Sequence, residues 1–244
     1  MTYCVGLALN AGLVFMSDTR TNAGLDNIST FRKMTIWDTP GERVITLMAA
    51  GNLATTQAVV SLLEERSKSP ADRQPTIMKA PSMFQVARII AETLREVIAE
   101  QTGGGPTAES AFNATLIVGG QVGSAPSRLF LIYPEGNFIE AGGETPFFQI
   151  GEMKYGRPIL VRAYDPDMSF EDAIKLLLVS FDSTLKANLT VGLPFDFHVY
   201  RNDSLAVGRT GRIGEGDAYF QAISDRWGDA LKDALVSLPA YSFD

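Results

Sequence analysis

The hydrophobic pattern changes its period along the chain in an order that few folds accept. Residues 2–9 form an alternating run that a turn at Asn10-Ala11-Gly12 joins to a second strand at 13–17, and extended character resumes from Phe31-Arg32-Lys33-Met34. Helical spacing then governs residues 53–65 and, after a polar stretch at 66–81, a longer run that opens at Ser82 and stops at Gly103-Gly104-Gly105-Pro106. Strands return at 112–118, 128–133, 138–141 and 147–151. A helix opened by Ser169-Phe170-Glu171-Asp172 runs to about 186, strands follow near 195–200 and 204–208, and a last helix covers about 217–238. A parallel doubly wound sheet would require strict βαβα alternation. Strands, two helices, strands, helix, strands, helix predict an α+β fold of two stacked, largely antiparallel sheets with helices outside each. No proline-rich linker divides the chain, so one domain over 1–244 is expected.

Composition narrows the partners. At 45% apolar and 20% charged, 244 residues can bury a sizeable core. A net charge of −7 argues against a nucleic-acid partner, because the excess charge repels phosphates. The single cysteine, Cys4, excludes an internal disulfide framework and a multi-cysteine metal site, and its strand position predicts core packing. No run approaches eighteen apolar residues, and the first twenty residues lack a basic n-region, so no membrane segment and a cytoplasmic location are expected. Neither a cofactor nor a metal is expected.

Thr2 follows the initiator methionine directly. A threonine exposed by methionine removal carries a hydroxyl and a free α-amine, whose unperturbed pKa of about 7.7–8.0 suits a general base. Asp18 closes the strand that pairs with the first, and Lys33 lies further on. A lysine beside the amine holds its pKa down, and an aspartate aims the lysine. Without Thr2, Asp18 and Lys33 read better as an ordinary surface ion pair worth about 0–1 kcal/mol.

Thr2, Ser17-Asp18-Thr19-Arg20, Arg32-Lys33 and Met48-Ala49-Ala50-Gly51 together resemble the β-subunits of the proteasome family. Thr21-Asn22-Ala23-Gly24, residues 50–55, 150–156 and 188–195 extend the likeness to its bacterial ancestral β-subunit group. The resemblance implies the four-layer αββα sandwich of N-terminal nucleophile hydrolases and a threonine-type endopeptidase with Thr2, Asp18 and Lys33 as the catalytic set. It places the oxyanion donor at the backbone of Ala50 or Gly51, and gives Arg20 a supporting role. Thr21 and Asn22 would flank the cleft, with Phe31 and Met48 near the first specificity pocket or simply in the core. It also implies peptide or unfolded-protein substrates and a large homo-oligomer, either a ring or an open-helical lock-washer; an ATPase partner is left open. Three departures stand out. The family's late aspartate falls on Asn188 and the serine three residues later on Val191, while another serine falls on Lys154; Thr190 or Ser183 are the candidate substitutes. These departures keep two other readings open: a non-peptidase amide hydrolase on the same fold, and an oligomeric scaffold with vestigial activity.

Competing chemistry is thinly supported. A Ser-His-Asp triad must use His198, the only histidine, which lies inside a predicted strand with no nucleophile elbow. Asp165 and Asp167 flank Pro166 without a full cation loop, and the glycines at 103–105 lack the lysine of a phosphate loop.

Overall fold

A computed structural model describes residues 2–22, 28–68, 75–103 and 111–243. Met1, the Ala23-Gly24 step, and Gly104-Gly105-Pro106 lie outside them. Two five-stranded antiparallel sheets form the centre. The first contains β1 (Tyr3–Leu9), β2 (Gly12–Asp18), β10 (Phe147–Gly151), β11 (Phe195–Arg201) and β12 (Arg209–Ile213), in the order β10-β1-β2-β11-β12. The second contains β5 (Met34–Thr39), β6 (Arg43–Gly51), β7 (Ala114–Val122), β8 (Arg128–Ile132) and β9 (Phe138–Glu140), in sequence order. A two-stranded ribbon, β3 (Arg20–Asn22) with β4 (Ile28–Thr30), connects them.

Helices α1 (Leu53–Lys68) and α2 (Met83–Thr102) cover the second sheet, while α3 (Arg157–Ala163), α4 (Phe170–Ala187) and α5 (Ala218–Ser237) cover the first. Strand pleating sorts the side chains into three cores. Tyr3, Val5, Leu7, Val14 and Met16 face α4, whereas Cys4, Leu13 and Phe15 face Met48, Ile117 and Leu129 across the sheet gap. Central strands buried on both faces explain the nearly unbroken apolar runs. The layers are α, β, β, α, as the fold reading expected.

The helix signals hold locally. Ser82 Oγ accepts the Gln85 N–H and Ser169 Oγ the Asp172 N–H; Gly103, in the left-handed region at φ 61°, closes α2. Two expectations need correction, and one helix was missed. The last strand is not at 204–208, where Asp203 and Leu205 adopt positive φ in a turn, but at Arg209–Ile213. The strand expected at 112–118 begins and ends later, at Ala114–Val122. Helix α3 was not foreseen, although Arg157-Pro158 carries the proline that favours a first helical turn. Among the described residues, no helix is long and apolar enough to cross a membrane.

Candidate active site

Thr2 is 8% exposed and is held through its backbone and its neighbour. Its carbonyl accepts the Glu152 N–H at 2.7 Å. Gly151 makes that approach possible: it adopts φ +84°, and a Cβ there would lie 1.9 Å from the Thr2 oxygen. Tyr3 is pinned at both ends. Its N–H donates to Asp18 Oδ1 at 3.0 Å, and its buried hydroxyl meets Ser180 Oγ and Gln149 Nε2, each at 2.7 Å.

Lys33 and Asp18 form a buried pair rather than a surface one. Lys33 Nζ lies 2.6 Å from Asp18 Oδ1, with side-chain exposures of 7% and 0%. The same ammonium donates to the Arg20 carbonyl at 2.7 Å, and the Lys33 carbonyl accepts the Ala49 N–H at 3.0 Å. Burial pushes the Asp18 carboxyl above its ordinary value; Lys33 and the Tyr3 and Gly192 amides pull it back. Burial, with the nearby Asp18 charge, likewise pushes the Cys4 thiol up, so Cys4 is an inert core residue as expected.

Arg20 points away from Lys33 into the loop after α4. Its Nη1 donates to the Leu189 carbonyl at 3.0 Å, and its guanidinium packs so closely on Gly192 that a Cβ there would sit 2.3 Å from Arg20 Cζ. Arg20 thus braces the loop whose Gly192 amide faces Asp18.

Strand alternation distinguishes the two oxyanion candidates. The Ala49 N–H faces β5 and bonds Lys33, so the Ala50 N–H faces β7, where Ala50 pairs with Thr115. The Gly51 N–H turns back to the β5 side, beyond the point where β5 begins at Met34. Gly51 therefore presents its amide at the edge beside Lys33, and Ala50 does not.

Met48 does not line a pocket there. It is fully buried between the sheets, because even-numbered residues at this end of β6 face inward. Leu47 and Ala49, on the opposite face, line a cavity of about 310 Å³ together with Lys33, Thr35, Leu53 and Gln57. Phe31 is 39% exposed, its N–H bonded to the Thr19 carbonyl, and it is not among that lining. Thr21 and Asn22 lie on β3, paired with Ser29 and Ile28.

The positions that depart from the family pattern form a network of their own. Asn188 Nδ2 donates to Glu152 Oε2 at 2.8 Å, and Asn188 Oδ1 accepts from the Thr190 N–H at 3.0 Å and Thr190 Oγ1 at 2.6 Å. Glu152 Oε1 accepts the Lys154 N–H at 3.2 Å. Val191 is wholly buried in the core beneath α4, the Lys154 residue is exposed, and Ser183 lies within α4. Sequence reading assigned Glu152 no role; an acidic residue following the glycine that closes a strand was the signal available.

The competing sites dissolve. His198 is buried between the sheets with Nδ1 2.8 Å from Thr46 Oγ1 and its ring stacked on Phe15. Asp165 accepts the Asp167 N–H and Asp167 the Asn10 side chain, which makes a turn.

The proteasome-subunit family model matches residues 2–193. Among solved structures, Anbu (ancestral β-subunit) from Yersinia bercovieri is 46% identical with a TM-score of 0.91, covering 99% of this chain and 100% of that one. An Anbu (Gly-1) mutant from Hyphomicrobium sp. strain MC1 is 48% identical with a TM-score of 0.92 over 99% and 100% of the two chains. A helical assembly of the Anbu complex from Pseudomonas aeruginosa is 45% identical with a TM-score of 0.90, covering 99% of each. No curated protein matches. With its fold, its buried aspartate–lysine pair and its full-length likeness in agreement, the chain belongs to the proteasome family, within which it groups with the Anbu proteins.

Proposed function

We propose that the chain is a self-assembling, threonine-type N-terminal nucleophile hydrolase that cleaves peptide bonds. The observation that carries this reading is the buried Lys33–Asp18 pair, whose aspartate also holds the backbone of Thr2's neighbour. Removal of Met1 would leave Thr2 with a free amine. The Thr2 hydroxyl attacks the substrate carbonyl and its proton passes to the α-amine, directly or through water. The peptide C–N bond then breaks as the amine protonates the leaving nitrogen, and water hydrolyses the remaining ester. Lys33 favours the neutral amine, Asp18 aims Lys33, and the Gly51 N–H is the oxyanion donor, an interaction worth about 2.7–4 kcal/mol. An extended substrate fits between β3, at Thr21 and Asn22, and the end of β6, with its first side chain entering the cavity bordered by Ala49 and Leu53.

Assembly has its own support. Helix α5 packs on the domain through its first half, where Phe220 and Ile223 join the core. Leu235, Val236, Leu238 and Tyr241, beyond, are 62–85% exposed, an apolar surface suited to a neighbouring copy. A head-to-tail contact of this kind gives a ring if the rotation closes and an open helix if it does not.

The test is the mass of the purified chain before and after a peptide epoxyketone, which reacts with a hydroxyl and an amine on one residue. Loss of one methionine and an adduct on Thr2, absent in Thr2→Ala, are expected. Retained Met1 in active protein, or an adduct elsewhere, would refute the mechanism.

A further inference from the structure

Resting on that reading, we propose that Glu152 is a positioning residue of the site, supplying through the Asn188-held carboxylate the counter-charge for the α-ammonium of mature Thr2. Glu152 is 8% exposed, and its N–H bonds the Thr2 carbonyl, so the two residues are adjacent across the β1–β10 gap. Its carboxylate receives only neutral donors, the Asn188 amide and the Lys154 N–H; among the described residues no cation is paired with it. A glutamate this little exposed, met only by neutral donors, gains from a cationic neighbour. Cleavage before Thr2 creates a cation on the residue whose carbonyl the Glu152 N–H holds.

The network also explains why position 188 carries an amide. Thr190 donates twice to Asn188 Oδ1, which turns Nδ2 towards Glu152. An aspartate at 188 would set a second carboxylate against Glu152, a repulsive like-charge contact in place of a hydrogen bond. The negative charge near Thr2 has thus moved to the end of β10.

Other charged groups around Thr2 are accounted for. Asp18 is matched by Lys33, Arg20 is committed to the Leu189 carbonyl, and the Lys154 residue is exposed; burial pushes the Tyr3 hydroxyl up to about 12, so it stays neutral. Lys33 lowers the α-amine's proton affinity while Glu152 raises it. Their opposition sets where the base becomes available and keeps the ammonium formed during the reaction oriented.

The experiment measures the rate of epoxyketone addition to mature protein against pH, for wild type, Glu152→Gln, Glu152→Asp and Asn188→Ala. Losing the carboxylate lowers the amine's pKa, so the acidic limb in Glu152→Gln moves down by about half a unit to one unit while the plateau rate falls several-fold. Glu152→Asp restores the limb towards wild type. Asn188→Ala keeps the charge but frees its direction, lowering the plateau with a smaller shift, and it stands in if Glu152→Gln fails to fold. A limb and plateau unchanged in both Glu152→Gln and Asn188→Ala overturn the inference, as does a plateau loss with no shift in Glu152→Gln, which marks a merely structural role. Absence of any Thr2 adduct in wild type refutes the nucleophile reading instead.

Discussion

Lowering the pH should destabilise this fold through one residue that has no part in the proposed chemistry. His198 sits at 0% exposure between the sheets, stacked on Phe15 with ring centroids 5.9 Å apart and 12° between planes. Thr46 Oγ1 satisfies Nδ1 at 2.8 Å, while Nε2 has no partner among the described residues. A neutral ring can place its proton to suit Thr46. An imidazolium must carry a second N–H with no acceptor, in a site that penalises charge. Burial accordingly lowers the His198 pKa from 6.5 to about 4. The unfolded chain therefore takes up this proton first as pH falls. The associated stability is complete above the unfolded value and drains away between about pH 6.5 and 4. A shift of that size corresponds to about 3 kcal/mol in full, of which about 2.5 kcal/mol is lost between pH 7.5 and 4.5. Denaturant unfolding at fixed protein concentration, compared between wild type and His198→Gln, isolates the contribution, since glutamine does not titrate. The variant should start less stable near neutral pH and show a flatter pH dependence, by about 2.5 kcal/mol between pH 7.5 and 4.5. Parallel loss of stability in the two proteins over this range would refute the argument.

Three further outcomes follow from the geometry. Lys33→Met should abolish epoxyketone addition and destabilise the fold by about 3–5 kcal/mol, because it strands the Asp18 carboxylate in the interior; unimpaired addition removes Lys33 from the mechanism. Gly192→Ala drives a methyl group into the Arg20 guanidinium and should slow addition by on the order of tenfold, and a wild-type rate would show that the Arg20 brace is dispensable. Tyr3→Phe leaves Ser180 and Gln149 without their shared partner and should cost about 1–3 kcal/mol in chemical denaturation; a neutral effect would mean that these groups re-pair without loss.

The layered fold was legible because each element carries its own local signal. The turn between β1 and β2, the serine caps at 82 and 169 and the glycine stop at 103 are short-range features, and the structure keeps them. Asp18 and Lys33 were legible as residues, but their burial was not, since it depends on strands that meet across the fold. Met48 illustrates the same limit: the sequence places it beside Ala49, and only the pairing of β6 with β5 and β7 decides which of the two faces the cavity. Glu152 was invisible because its partners, Thr2 and Asn188, lie far from it along the chain. Helix α3 was missed because seven residues give too short a period to recognise.

The order of strands also dictates a schedule for synthesis. The sheet containing β5 to β9 is contiguous in sequence, so it can form with α1 and α2 while the rest of the chain is still being made. The β1–β2 hairpin, although translated first, occupies the middle of its sheet and must wait for β10 on one side and β11 on the other. The Glu152 amide, the Asn188 side chain and the Gly192 loop all arrive in the last two-fifths of the chain. On a ribosome, the proposed nucleophile therefore emerges early but gains its socket late, through contacts that span most of the polypeptide and close slowly. A nascent subunit would pass through the crowded, partly unfolded stage of its own production without a working cleft.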